Sequence, residues 1–361
     1  MFVEDRNELR ELLQERVSTI QADLLDKPKV EAGKNYLKSY LVEAHDDISK
    51  LIQQVGYDIT TKKTSDDLLN IQLKLNKKNY YFYVDTINER FPIIHTLADV
   101  KISDSLVRKT IKNSHEADNT WFTRQFMLGI SEIGELKSFT VKIDRTHFIK
   151  YHPYDIERMS IRLWGKAAKK ILTMFETNDQ VSNSVAITNV GFKYFNTIDD
   201  LRTNEYINNY VTFDGRFTAW GASINPHFSL LEKIRQGYTK QIENIEGGNL
   251  IDLSLKSDQL GDYYTIDLET PLTDIERFLS VLLNEHGPVR LYGFYQKASR
   301  NFYRVTCVDQ HINKRIRLEV MNDKIRVYMH DGTCGNTIPR ILTLLQHHLE
   351  SSTGKEEGVV L

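Results

Sequence analysis

The sequence predicts an α+β fold: an N-terminal helical hairpin followed by antiparallel-sheet modules with helices on one face, arranged as a degenerate tandem repeat. Three observations lead there. Apolar residues recur at helical steps through the first stretch, alternating runs punctuated by turn residues follow, and one order of elements occurs twice beyond residue 155.

In the first stretch Leu9, Leu13, Val17, Ile20 and Leu24 fall at steps of four, four, three and four, with charged residues between them. Pro28 disfavours helix in the residue before it and so breaks the run. A second stripe, Leu37, Leu41, Ala44, Ile48, Ile52 and Val55, stops at Gly56, a suitable C-terminal cap. Two such helices are expected to fold back as a hairpin or to pair, coiled-coil-like, with another chain.

The next region reads as α+β. Ile71, Leu73 and Leu75 alternate with polar residues, Asn76 to Asn79 turn the chain, and Tyr80 to Val84 return as the second strand of a hairpin. A helix capped by Ser103 is expected to carry Leu106 and Ile111, and Phe139 to Ile143 alternate as a strand. The stretch from Thr120 to Leu128 suits helix and strand equally.

Beyond residue 155 the pattern doubles. Asp-Ile-Glu-Arg opens a helix at Asp155, with Met159, Leu163, Ala167 and Ile171, and again at Asp274, with Phe278, Val281 and Leu282. Each is followed by a hairpin: Tyr210 to Ala219 around Asp214-Gly215, and Ile316 to Tyr328 around Asn322-Asp323. Each hairpin leads through a glycine, Gly221 or Gly335, into a further helix. The expected divisions are therefore 1–58 (helical hairpin), 64–150 (α+β), 151–246 and 247–350 (the repeated modules) and 351–361 (a disordered tail).

Charge limits the function classes. Among 361 residues, 47 Lys and Arg balance 49 Asp and Glu, for a formal charge of −2. Nucleic-acid binding along the whole surface is thereby excluded, and any such binding is confined to a local patch. Two cysteines, Cys307 and Cys334, cannot build a disulfide framework. No secretory h-region follows Met1, and no apolar run approaches the roughly 18 residues of a membrane span. The expectation is a cytoplasmic chain without a membrane partner.

Catalytic signatures are lacking. The turn from Asp331 to Thr337 has neither the Walker ending nor the dinucleotide glycine spacing. No Gly-x-Ser-x-Gly elbow occurs. His330, Cys334, His347 and His348 are ligand types, but adjacent histidines on a helix cannot face the same way, so no metal set and no cofactor is assigned. Glu132, Glu135 and Lys137, and separately Asp262, Asp267 and Glu269, could serve a metal-dependent nuclease or hydrolase but read better as solvated strand ends.

The most informative patch lies in the last module. Strand alternation sends Ile316, Leu318, Val320, Ile325, Val327 and Met329 to one face. The other face receives Arg315, Arg317, Glu319, Lys324, Arg326 and Tyr328, joined by Arg304 from the preceding strand, with Glu319 diluting the positive charge. Basic residues beside an aromatic suit phosphates and stacked bases, or an acidic partner surface.

From these readings the first expectation is a non-catalytic assembly subunit that homo-oligomerises or docks on a protein partner through Leu9, Leu13, Val17, Ile20, Leu24, Leu37, Leu41, Ile48 and Ile52. The second is a nucleic-acid-binding accessory protein of genome maintenance or antiviral defence, using the basic face. The third is the metal-dependent hydrolase.

Overall fold

Strand β1 (Leu37–Ala44) runs through the middle of the larger of two sheets, and all 8 of its residues are buried. The computed structural model describes residues 1–26, 36–144, 158–178, 186–251, 263–269, 271–284, 289–330 and 332–349, with the backbone alone at 19–26, 144, 250 and 251. The fold is α+β, as the alternating and helical patterns imply.

The larger sheet adds β2 (Asp58–Lys63), β3 (Leu68–Leu75), β4 (Lys78–Asp85), β5 (Ile93–Thr96), β6 (Ala117–Asn119), β7 (Glu135–Asp144), β8 (Arg158–Trp164), β9 (Ala186–Tyr194), β10 (Ile207–Thr212) and β11 (Arg216–Gly221). Its order is β2-β3-β4-β5-β1-β11-β10-β9-β7-β8, with β6 pairing the far end of β1. Every pairing is antiparallel.

The smaller sheet holds β12 (Leu250–Ile251), β13 (Tyr264–Asp267), β14 (Leu291–Ser299), β15 (Phe302–Asp309), β16 (Lys314–Met321) and β17 (Lys324–His330). Four strands run β17-β16-β15-β14 as a meander, and β12 and β13 both pair with β17. Strands expected in the stretches 64–150 and 151–246 thus share one sheet, while those of 247–350 form the other.

The second N-terminal helix is corrected by the structure. Leu37 and Leu41 lie on β1, and only Ile48 and Ile52 are helical, in the short α2 (Ile48–Gln53). A step of four is even, so a strand and a helix both place Leu37 and Leu41 on one side. The distinguishing cue, polar alternation, is absent because a central strand is covered on both faces.

Helix α1 (Arg6–Asp26) forms as expected, but its stripe is not an exposed interface. Leu9, Leu13 and Val17 are buried in the chain's own core, against β1 and β11. Burying this stripe removes apolar area from water at about 25 cal/mol per Å². The face predicted for a partner is therefore already covered; the side chains of Ile20 and Leu24 lie outside the described residues. Arg6 fixes the helix start on Asp85 (Nη1–Oδ2 2.8 Å), and Gln14 takes the backbone of Ala222 and Ile224.

Other local signals hold with adjustments. The β3–β4 hairpin turns on two residues, Asn76 and Lys77, both at positive φ, rather than on four. Asp214-Gly215 closes the β10–β11 hairpin, and Gly215 is fixed by φ +78° and by Leu41 O, 2.6 Å from where a Cβ would stand. In α3 (Val100–Asn113) the cap is Asp99, and Ser103 lies inside the helix, accepting from Tyr40. Helix α4 (Arg124–Glu132) resolves the ambiguous stretch, capped by Thr123.

The helix expected from Asp155 is a strand at Arg158–Trp164; α5 (Ala168–Thr177) begins later, and residues 155–157 lie outside the described residues. Both hairpin-to-helix junctions form. After the short α6 (Ile198–Thr203), Gly221 leads into α7 (Asn225–Asn249), and Gly335 leads into the last helix, α9 (Thr337–His348). Asp274 caps α8 (Ile275–Leu282) through Arg277 N–H, as its position predicts.

Helices α8 and α9 cover one face of the smaller sheet, where Phe278, Leu282, Ile338 and Leu345 share a core with Ile316, Leu318 and Val327. The opposite face is left uncovered by them.

Candidate functional site

The uncovered face of the smaller sheet collects the basic residues picked out from the sequence. Directly opposed residues in adjacent antiparallel strands share a face. The register sets Phe294 of β14 opposite Thr306, Thr306 opposite Arg317, and Arg317 opposite Tyr328, a row across four strands. On one side of it Gln296, Arg304, Glu319 and Arg326 make a second row. On the other side Tyr292, Val308 and Arg315 make a third.

Apolar rings stand open on this face. Phe294 is 70% exposed and Tyr292 55%, while the Tyr263 ring lies 5.3 Å from that of Tyr328. Neither Tyr292 nor Phe294 was singled out from the sequence. On β14 the glycine and neighbouring aromatics give no clean alternation, so only the register shows which of them join the basic residues.

Glu319 organises the patch rather than neutralising it. Its carboxylate accepts from Tyr328 Oη at 2.8 Å and lies 3.5 Å from Arg326 and 4.0 Å from Arg304. Arg326 also sits over the Tyr263 ring at 4.7 Å, a cation–π contact. Lys324 stands opposite Asp267 and 3.9 Å from Asp323, so its charge is partly offset. Arg315 and Arg317 have no carboxylate within 4.0 Å among the described residues, and burial, helped by these two charges, lowers the pKa of His330.

A second set of polar residues is buried where the two sheets meet. Asp118, Asp309 and Arg340, all fully buried, form one ion network, with Arg340 Nη2 2.5 Å from Asp309 and Nη1 on Asp118. Thr337 donates to Asp309, and Arg290 donates 2.9 Å bonds to Ala117 O and Ser114 O. Burial opposes ionisation of Asp309, but Arg340, His311 and Thr337 outweigh it and keep its carboxyl below the usual range.

Next to this network, Glu43 and His45 at the end of β1 meet His311 from the β15–β16 turn and Cys334 from the loop before α9. Cys334 Sγ lies 3.2 and 3.3 Å from the two Glu43 oxygens and 3.4 Å from His45 Nε2. His311 Nε2 lies 3.1 Å from Glu43 Oε2. Burial and the neighbouring carboxylate push the Cys334 thiol well above its ordinary pKa. Burial works against the Glu43 charge too, yet His311 and His45 hold that carboxyl well below the carboxylate range.

This is not a nucleophile with a relay. Glu43 and Cys334 both address the same nitrogen of His45, whereas a triad needs nucleophile and orienting carboxylate on opposite ring nitrogens of the histidine base. A buried thiol with a raised pKa is also a poor nucleophile.

The remaining sequence candidates stay apart. His347 packs on the Phe213 ring at 4.1 Å, and burial lowers its pKa to about 3; it does not approach Cys334. Glu135 pairs with Lys137 and Glu132 with Lys169, all at the surface. Asp262 lies outside the described residues. A second aromatic row crosses the larger sheet, where Arg162 stacks on Trp164 at 3.9 Å and Tyr210 on Trp220 at 5.6 Å. Among the described residues no helix is long and apolar enough to cross a membrane.

Comparison with known proteins places the chain. It is 25% identical, over a 394-residue alignment covering 97% of this chain and 93% of the relative, to a Methanocaldococcus jannaschii protein described as "Uncharacterized protein MJECL33". The family model for MJECL33-like protein matches residues 1–358. The chain thus belongs to the MJECL33-like protein family.

Proposed function

We propose that this chain binds single-stranded nucleic acid on the uncovered face of the smaller sheet. The observation that carries the reading is the row Phe294–Thr306–Arg317–Tyr328, which puts an open ring, a guanidinium and a second ring in line on one face. Stacking on an exposed ring contributes about 1–3 kcal/mol per base, independently of sequence. Arg304, Arg315, Arg317 and Arg326 supply the phosphate contacts, and Tyr292, Phe294 and Tyr328 the stacking surfaces. Confining the positive charge to one face also suits a chain whose formal charge is −2.

In this reading the chain is a binding module, and no reaction is assigned to it. The assembly role inferred for the N-terminal stripe has lost its support, because Leu9, Leu13 and Val17 already have a partner within the chain.

Fluorescence anisotropy with a labelled single-stranded oligonucleotide tests the proposal. Binding should weaken with salt, with a log–log slope of about −0.7 per phosphate neutralised. Reversing Arg317 and Arg326 to Glu should abolish most of it. Binding that is indifferent to salt and to both reversals removes this face, and loss on Trp164→Ala or Arg162→Glu instead moves the site to the larger sheet.

A further inference from the structure

We propose that Glu43, His45, His311 and Cys334 form a tetrahedral site for a divalent transition-metal ion, zinc by its donor set, that ties the larger sheet to the smaller one. Nothing in this inference depends on the nucleic-acid reading. Its basis is convergence: one ligand atom from each residue lies within 4.8 Å of all the others.

The short separations match a coordination sphere. Zinc bonds of about 2.0–2.3 Å to nitrogen, oxygen and sulfur give a tetrahedron with edges of roughly 3.3–3.8 Å. Three of the separations among Glu43 Oε2, His311 Nε2, Cys334 Sγ and His45 Nε2 are 3.1, 3.3 and 3.4 Å. Only the longest separations need to shorten, by about 1 Å, for all four to reach one ion.

The charges agree as well. A carboxylate and a thiolate neutralise a divalent ion, and two neutral imidazoles complete the set. Arg90 borders the site as an outer partner of two ligands. It pairs with Glu246 through Nη1 at 2.8 Å and Nη2 at 2.5 Å, its Nε donates to Glu43 Oε1 at 3.0 Å, and its Nη2 donates to Cys334 Sγ at 3.6 Å. Glu43 Oε2, the oxygen that meets His311 and lies 3.3 Å from Cys334 Sγ, is left as the ligand atom. Glu246 also accepts the Gly335 N–H at 2.8 Å, which fixes the loop carrying Cys334. Outer partners that orient a ligand carboxylate and a ligand loop are what a metal centre requires.

Strand geometry explains why Glu43 and His45 act together, since residues two apart on a strand share a face. His311 and Cys334 come from the smaller sheet's side of the junction. Four protein ligands close the coordination sphere, so the ion's role is structural, a clamp between sheets.

The test uses the full chain. Metal analysis of the protein as isolated should find about one zinc per chain. After chelation, Co²⁺ should bind at one equivalent with the intense visible bands of tetrahedral cobalt and a thiolate-to-cobalt charge-transfer band. Cys334→Ser should abolish the charge-transfer band, while Cys307→Ser, at the other cysteine, should keep it. His311→Gln should weaken cobalt binding by more than about 100-fold, beyond the cost of losing an outer-shell partner. Absence of zinc in the isolated chain together with no saturable cobalt uptake overturns the proposal, and so does a thiolate band that survives Cys334→Ser. If chelation unfolds the chain, the metal content of the isolated wild type and Cys334→Ser proteins decides, with loss of zinc in the variant expected and an equal content overturning the site.

Discussion

Arg317 on β16 and Tyr328 on β17 stand directly opposite each other on the uncovered face of the smaller sheet, with Phe294 two strands away in the same row. Because Phe294 is 70% exposed, replacing it by Ala should leave folding stability within about 0.5 kcal/mol. The same change should weaken single-strand binding by about 5- to 150-fold, the equivalent of one lost base stack. Parallel unfolding and anisotropy measurements check this; a fall in stability without a fall in affinity would assign the ring to packing.

Leu13 makes the opposite case. It is fully buried between α1 and the larger sheet, so Leu13→Ala should cost about 2–5 kcal/mol. Denaturant titration measures the loss. Light scattering on the same sample should show an unchanged molar mass, since the stripe faces the chain's own core; a drop in mass would restore it as an intermolecular contact.

Arg340, fully buried, holds Asp118 and Asp309. Truncating it to Ala leaves Asp309 without its arginine and Asp118 with only Arg290, 3.7 Å away, and about 3–5 kcal/mol of stability should be lost. Replacing all three members by apolar residues of similar volume should cost far less, because the desolvation penalty goes with the charges. A triple variant as unstable as Arg340→Ala would argue against a desolvation origin.

Stability should fall on mild acidification. Burial lowers the pKa of His95 to about 4 and of His347 to about 3, and holds His227 well below its ordinary value. Unfolded, each titrates near 6.5, so below that pH the unfolded state binds more protons than the folded one. Their contribution is complete above pH 6.5 and is lost as pH falls toward the folded values. The slope is up to about 1.4 kcal/mol per pH unit for each histidine. Denaturation midpoints at pH 7, 6 and 5 should therefore decline in order; a flat series would mean that these rings are hydrated in the folded state.

By itself the sequence determined what neighbouring residues decide. Asp214-Gly215 specified a hairpin turn, Asp274 a helix start, and the alternation from Arg315 to Met329 two strands with one basic and one apolar face. These signals are complete within a few residues, because turn geometry, capping and face alternation are local. Tertiary structure decided the rest. Residues 37–44 are a strand because neighbours cover both faces, which erases the alternation that marks a strand locally. The α1 stripe was legible, but its partner was not, since apolar periodicity gives a direction and not an address. The junction of Glu43, His45, His311 and Cys334 was equally illegible: its members are up to 291 positions apart, and no spacing records a contact that only two folded sheets create. The basic face lay between these extremes, with its arginines readable along each strand and its aromatic row assembled only by the register across four of them.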